Sequence, residues 1–572
     1  MTSVNTKAIQ NSLAPIVLSV SPTVGLWRHS KLESAVIQQL YHQGFQIIAI
    51  SCDGMAISRC NYIDLIERHE KKDARAKACR ECLTRNQIRE SIHESQGVTF
   101  SRLSEVKELS TWLEQVSIYD PQNILWNNLP AGRFACYELA LNLKCEPESV
   151  PILAKEKYRE TLAASITVLE KIKEICAQKE VSAAIFHNGL SAINRLSWEW
   201  CRSKGIITID ILNVSHKNYR DSKYYLNTNL WPLFSHSKNG VWNKVKEFNL
   251  NPQEDLFVQS YLNSELMQGG IKNYGIGGKI SNASAKSEES NEFVALFLFN
   301  STDERKTARY MFINSETILE NVLDHFKLAK QIAASNPTIK CIFRIHPRMG
   351  KAHDDNESPQ LREIIEYLSD STSNVKVVFP ERQISLQESM QSSDIVLSFG
   401  TTAGLLASAS GLPVVLCSRD NDWNFPKDIY FVPKDFTEFE ITKLIKVILS
   451  AKFDRAEIEE RKEYARKTIN FLHNWLALEF EQKKLGKGEK LLLMFRSQIW
   501  FIFGKRKAID LGSYVFSNKL KHLKIALHTL FNLQVEEPKS RVSAVWRHLI
   551  NNDEAIVEDL LVKTYLQERQ RN

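Results

Sequence analysis

Two stretches of this chain repeat one pattern, in which a short, almost wholly apolar run alternates with a helix-length amphipathic run. In the first, PIVLSV (Pro15–Val20) and FQIIAIS (Phe45–Ser51) flank a helical pattern at about His29–His42. A helix-rich insertion reaches about Gln178, and then come SAAIFHNG (Ser182–Gly189), a helix through Cys201 and IITIDIL (Ile206–Leu212). Strands covered on both faces read as continuous apolar runs, and strand, helix, strand in succession calls for parallel strands with crossover helices. Between Asn263 and Asn291 the composition turns to Gly, Ser and Asn, which marks a linker. The pattern then restarts with FVALFLF (Phe293–Phe299), a helix at about Asn314–Ser335, and IKCIFRIH. VKVVF (Val375–Phe379), DIVLSF (Asp394–Phe399), PVVLC (Pro413–Cys417), IYFVP and a helix from about Phe436 complete it. The expected class is α/β, with two doubly wound domains. A length of 572 residues, too great for one core, agrees with that.

Composition removes several other classes. Hydrophobic content of 43% with 25% charged residues belongs to a globular chain rather than a disordered one. The first twenty residues lack a charged region followed by a long apolar one, so a secretory signal is not expected. No window reaches the roughly 18 uninterrupted apolar residues of a membrane-spanning helix. Ten cysteines without an export signal read as reduced thiols in cytoplasm. The net charge of +7 is local. From Gln482 to Phe531 there are eleven Lys/Arg and two acids, a balance of +9, which leaves −2 for everything else.

Chemistry gathers at two strand ends of the second domain, where ligands of open parallel sheets bind. In KCIFRIHPRMGK (Lys340–Lys351), side-chain alternation puts Arg344 and His346 on one face and Phe343 and Ile345 on the other. Pro347 then ends the ladder. In SFGTTAGLLASASGLPVVL (Ser398–Leu416), Gly400, Thr401, Thr402, Ala403 and Gly404 make a small, hydroxyl-bearing turn between a strand and a helix. Glycine permits close backbone approach, and a helix N-terminus presents unpaired N–H groups with partial positive charge. A phosphate would fit there, with charge-assisted bonds from Arg344 and His346. A tight strand-to-helix connection and a hydrogen-bonded strand-end histidine are the plainer alternatives.

These motifs resemble those of the surface-polysaccharide glycosyltransferases: capsule-synthesis proteins including Kdo transferases and, more distantly, the bacterial sialyltransferases. The matching positions are His346–Pro347 and Ser398–Thr401–Thr402. NSTDE (Asn300–Glu304) is similar to the Ser/Thr-rich loop after the first strand of their nucleotide domain. FHNG, followed by a helix containing Arg195 and by Gly205–Ile206, resembles their late N-domain pattern. The likeness implies a GT-B fold: two Rossmann-like doubly wound domains facing a cleft, with a C-terminal helical basic tail. The implied boundaries are 1–262 for the acceptor domain, 263–292 for a linker, 293–450 for the nucleotide-sugar domain and 451–572 for the tail. Arg344, His346, Ser398, Gly400, Thr401 and Thr402 would hold the phosphate of a nucleotide-activated donor such as a CMP-sugar. The sialyltransferase-like base, in an acidic-Gly motif after an N-domain strand, would fall on Asp53 of SCDGM (Ser51–Met55), although Asp-Gly is also a common turn. His187 and Asn188 are further strand-end candidates. The chain departs from the retaining enzymes at AGLLAS, with Leu405 and Leu406 where a ribose-binding carboxylate is usual.

This chemistry requires no metal and no cofactor beyond the nucleotide-sugar substrate, since Arg, His and a helix dipole can stabilise a leaving phosphate. RDND (Arg419–Asp422) is read as a loop. Cys52, Cys60, Cys79 and Cys82, in the order C-x7-C-x18-C-x2-C, could form a closed zinc site, but only CREC has customary spacing and free thiols are the favoured reading. In the basic segment, Leu491–Phe503 is mostly apolar. Beyond it Phe516, Leu520, Leu523, Leu527 and Leu530 recur at helical spacing, with Lys519, Lys521 and Lys524 elsewhere on the wheel. An apolar stripe with lysines suits an anionic membrane surface contacted through 490–531, or a helical subdomain with a solvated basic face. Nucleic acid is not an expected partner, because no recognition motif accompanies the charge. The expected protein is a cytoplasmic transferase, peripheral at the inner face of the plasma membrane, that moves a sugar from a nucleotide-activated donor to a growing surface polysaccharide or glycolipid. The alternatives are a polyol-phosphate transferase with a CDP-linked donor and a catalytically inactive GT-B scaffold.

Overall fold

The computed structural model of the protein describes residues 14–20, 27–54, 74–94, 96–213, 223–228, 241–268, 292–301, 307, 310, 322–350, 359–380, 384–419, 425–479, 540–551, 563, 565 and 567. Contacts divide the chain into two units. One comprises Met1–Ala135, Ala154–Leu230 and Leu476–Asn572, and the other Cys136–Leu153 and Trp231–Trp475.

The first unit is built on β1 (Ile16–Val20), β2 (Gln46–Ser51), β3 (Thr99–Arg102), β4 (Val181–His187), β5 (Ile207–Asn213), β6 (Lys223–Asn227) and, last among the described strands, β12 (Ala477–Glu479). They form one sheet in the order β12-β6-β5-β4-β1-β2-β3. The five strands from β5 to β3 are parallel; β6 runs antiparallel to β5, and β12 antiparallel to β6. Val17 lies opposite Ile47 on one side and Ala183 on the other. From β1 the chain builds outward through β2 and β3, then returns to add β4 and β5 on the opposite side. The strand order therefore reverses between β1 and β4, the point at whose carboxyl edge open sheets of this kind bind ligands.

Helices α1 (Trp27–His42), α2 (Ala74–Glu94), α3 (Lys155–Gln178) and α4 (Ala192–Ser203) belong to this unit. On α3 the buried Tyr158, Leu162, Leu169 and Ile172 recur at helical spacing, and this face packs toward α4. β3 lies inside the segment that the sequence pattern shows as helix-rich. Its residues are half-exposed at the sheet edge, so TFSR carries no apolar run. Near the chain end, helix Ser540–Asn551 buries Trp546 completely. Trp546 Nε1 donates to Tyr224 Oη at 3.1 Å, and Tyr224 Oη donates to Gln39 Oε1 of α1 at 2.6 Å. Two polar aromatics are thereby buried without an orphaned group.

The second unit contains a five-stranded parallel sheet in the order β11-β10-β7-β8-β9. The strands are β7 (Val294–Leu298), β8 (Lys340–Arg344), β9 (Val375–Val378), β10 (Ile395–Ser398) and β11 (Val414–Leu416). IYFVP contributes one bridging residue rather than a strand: Phe431 exchanges bonds with Val414 and Leu416. Helices α5 (Pro252–Gln268), α6 (Val322–Ala334), α7 (Pro359–Leu368), α8 (Leu386–Gln391), α9 (Thr402–Ala409), α10 (Glu438–Ile448) and α11 (Ala456–Asn470) belong to the unit, with further short helices at Tyr137–Leu143, Val150–Leu153 and Val241–Glu247. Here too the order reverses, between β7 and β10. Phe297, Phe299, Phe326, Phe343 and Phe399 form the centre of its core, with Phe299 stacked 3.9 Å from Phe326 and 5.0 Å from Phe399. Phe299 and Phe399 directly follow β7 and β10, so this stack fixes the two strand ends beside the reversal point.

The sequence pattern places boundaries at 262 and 451, whereas by contacts the chain passes between units at 135–136, 153–154, 230–231 and 475–476. Residues 241–268 go with the second unit through α11: Tyr464 Oη donates to the Trp242 carbonyl at 2.9 Å, and Arg466 pairs with Asp255 at 2.7 Å. The linker core at 269–291 and the basic segment 490–531 lie outside the described residues. Among the described residues, no helix is long and apolar enough to cross a membrane.

Candidate functional site

The carboxyl edge of the second sheet gathers small polar residues at the β7/β10 reversal. Asn300, two residues past β7, donates through Nδ2 to the carbonyls of Phe399 at 3.0 Å and Gly400 at 3.3 Å. The loops after β7 and β10 are thus tied across the crevice. Gly400 has φ +76°, in the left-handed region that glycine occupies without strain. Thr401 is the N-cap of α9, its hydroxyl accepting from Gly404 N at 3.3 Å. Ser398, fully buried, accepts from Thr401 N at 3.4 Å. Gly404 permits the helix to start this close to the strand, since a Cβ there would meet Ser398 Oγ at 2.4 Å. Thr402 is exposed at the first position of α9. The cap leaves the N–H groups of Thr402 and Ala403 at a positively polarised helix start.

The structure joins Ser398, Gly400, Thr401 and Thr402 in one turn. Arg344 and His346 stand at the end of β8, the neighbour of β7. Arg344 is 9% exposed, and its Nη1 donates to the Ile384 carbonyl at 3.0 Å and to Ser389 Oγ at 3.0 Å. Burial pulls its pKa down to about 10, opposed by the nearby Glu388 carboxylate. Its described bonds therefore go to the start of α8, not to the Gly400 turn. That start is itself locked by a capping box, with Glu388 N donating to Ser385 Oγ at 3.0 Å and Ser385 N to Glu388 Oε2 at 2.7 Å. His346 is half-buried, and its carbonyl accepts from Met349 N in the single 3-10 turn begun by Pro347. Leu405 and Leu406 are both buried core residues.

On the first sheet, Asp53 stands exposed two residues past β2. The Glu90 carboxylate, bonded at 2.8 Å, holds the Arg102 guanidinium at the end of β3 above its usual range, and Asp53 and Glu94 add to that field. Past β4, Asn188 adopts φ +59°. Asn194 Nδ2 donates to the His187 carbonyl at 2.8 Å, and Gly189 N donates to Asp210 Oδ1 at 2.7 Å. Asp210 is fully buried on β5, and desolvation pushes its pKa up to about 8 against the backbone N–H groups of Gly189, Asn188 and Ile211. The turn that presents His187 and Asn188 is therefore fixed from beneath.

Sequence reasoning missed Asn300 and Asp210 as determinants of these edges. The signal for Asp210 is a lone acid in the apolar run IITIDIL. For Asn300 it is an amide directly after a strand, within a loop that drew notice only for its hydroxyls. Cys52, Cys79 and Cys82 carry no disulfide, and Cys60 lies outside the described residues. Asn86 Nδ2, on α2 like Cys79 and Cys82, donates to the Cys52 carbonyl at 2.9 Å. Among the described residues, no group of three or more His, Cys, Asp or Glu side chains could hold a metal ion.

Both units are therefore open α/β layers whose strand order reverses once, the class that binds ligands at the carboxyl edge. No protein-family model matches the chain, and no curated protein is similar to it in sequence. Among solved structures, it is similar to the β-Kdo 2,4-transferase KpsC of Thermosulfurimonas dismutans, with TM-score 0.28 and 12% identity over 50% of this chain and 79% of that one. For the UDP-GlcNAc 2-epimerase of Neisseria meningitidis bound to UDP-GlcNAc the values are 0.27 and 10% over 81% and 100%. For the sucrose-phosphate synthase of Thermosynechococcus elongatus they are 0.30 and 11% over 86% and 100%. Scores this low carry no argument about chemistry, and the fold is read from the two sheets themselves.

Proposed function

We propose that the protein is a GT-B glycosyltransferase that transfers a sugar from a nucleotide-activated donor to a growing surface polysaccharide or glycolipid. The observation that carries this reading is the β7/β10 reversal point. Asn300 ties its two loops, Gly400 opens the backbone, and α9 begins there with unconsumed N–H groups. An anion at that point meets the positive end of a helix and the Thr402 hydroxyl, while His346 supplies a further donor from the end of β8. Arg344 acts at one remove, by fixing the start of α8 and by its charge. The leaving nucleoside phosphate would be stabilised without a metal. Asp53 is proposed as the base for the acceptor hydroxyl on the resemblance of its acidic-Gly motif alone. A donor with a CMP leaving group is the favoured subclass, on the resemblance of the His-Pro and Ser/Thr motifs alone. The burial of Leu405 and Leu406 supports a second reading, a scaffold of the same fold that binds no donor.

The test is thermal unfolding with CMP, CDP, UDP and GDP on wild type, His346→Ala and Thr402→Asp. An aspartate at the first position of α9 favours the helix by about 0.3–1 kcal/mol, so the variant stays folded while repelling a phosphate. One nucleotide should raise the wild-type Tm and leave Thr402→Asp unmoved, with a reduced response in His346→Ala. A wild type stabilised by none of the four would replace the transferase with the scaffold.

A further inference from the structure

At the opposite, amino edge of the first sheet lies a cavity of about 680 Å³. Val181 opens β4 and Ile206 precedes β5 at its floor, while the last turns of α3 and α4 bring Cys176, Lys179, Trp200 and Lys204 to its walls. A tight turn closes one side. Trp126 and Leu129 exchange backbone bonds of 2.9 and 3.0 Å across Asn127 and Asn128, both left-handed at φ +51° and +64°. Glu170 of α3 pins that turn: its Oε1 accepts from Trp126 Nε1 at 2.7 Å, Asn127 Nδ2 at 3.0 Å and Lys173 Nζ at 2.9 Å. Asn127 and Lys173 both line the cavity, so one carboxylate sets the position of two polar walls.

We propose that this cavity is a saccharide-binding site. Its perimeter both donates, through the Lys179 and Lys204 ammonium groups, and accepts, through Glu180. Its interior offers Trp200, Leu129, Val181 and Ile206, and the Cys176 thiol stays neutral because burial pushes its pKa up to about 11. The occupant must therefore carry donors and acceptors around a rim and an apolar face across the middle. A pyranose has that form, with equatorial hydroxyls around C–H faces that pack on an indole. A nucleoside phosphate suits it less, because Glu180 and the negative ends of two helices offset the charge of Lys179 and Lys204. An acyl chain would use the apolar face and leave the rim of Lys179, Glu180 and Lys204 with no partner on the ligand. In a glycosyltransferase such a site would retain the growing glycan between transfers, and only that role rests on the reading above.

Isothermal titration and saturation-transfer NMR with maltotriose, N-acetylchitotriose and trigalacturonate would test it, on wild type, Trp200→Ala, Lys204→Ala and Thr402→Asp. At least one trisaccharide should bind wild type with a Kd of about 1 mM or tighter, and Trp200→Ala should weaken it about tenfold. Lys204 is exposed, so Lys204→Ala keeps the fold and should weaken binding about threefold if Trp200→Ala fails to fold. Thr402→Asp should bind the trisaccharide as wild type does. Absence of binding by all three sugars at about 10 mM, or binding that neither cavity variant alters, overturns the assignment. A nucleotide response without saccharide binding would spare the transferase and remove this site, and the converse would do the reverse.

Discussion

Asp210 is an acid inside an apolar strand, held by backbone N–H groups that want it ionised and by burial that wants it neutral, and burial prevails. Its folded pKa of about 8 lies above the ordinary carboxylate value, so between about pH 4 and pH 8 the folded protein retains a proton that the unfolded chain has lost. Stability from this residue is therefore present below pH 4 and lost as pH rises to 8. Asp210→Asn keeps an oxygen for Gly189 N and removes the titration. Denaturation midpoints of wild type and variant, compared at pH 5 and pH 8, should move in favour of the asparagine at the higher pH. A difference that stays constant across that range would place the proton elsewhere. Side-chain identity made the Gly400–Thr402 turn legible in sequence, because glycine and hydroxyl residues between an apolar strand and a helix leave few other conformations. The bonding of Arg344 was not legible. Its partners Ile384 and Ser389 lie forty or more positions away, and nothing local to FRIHPR announces them.

At the scale of elements, the tightest junction is between β10 and α9. A Cβ on Gly404 would lie 2.4 Å from Ser398 Oγ and 2.9 Å from Ser398 Cβ, with Tyr430 3.4 Å away. Gly404→Ala should therefore destabilise by about 1–3 kcal/mol despite alanine's better helix propensity. Ser398→Gly in the same chain should return much of that loss, as a double-mutant cycle of denaturation midpoints would record. Additive effects would show that the helix had simply shifted away. Most central strands were readable because they are buried on both faces and therefore uniformly apolar. Edge elements were not: β3 is half-exposed, and β6 and β12 pair only after their partners have been brought from distant parts of the chain. A linear pattern carries no record of such pairings.

For the whole molecule, the first unit depends on residues from both ends of the sequence. Trp546→Ala would open a cavity beside Tyr224 and should cost the first unit about 3–5 kcal/mol, while Trp546→Phe, which loses mainly one donor, should cost less. Two-transition thermal unfolding would show the loss in one transition, with the nucleotide response of the other retained. The two-domain plan was visible in sequence, but the crossing at 475–476 was not, because the segment after it is marked by charge rather than by strand pattern. That crossing bears on how the protein is made. Translation completes the second unit at Trp475, whereas the first must wait for Leu476 and beyond. From the synthesis of Asn227 until that of Ala477, β6 has no β12 on its outer side, and an unpaired edge invites association with another nascent chain. Although its first strands leave the ribosome early, the N-terminal unit is the last to have all its residues made.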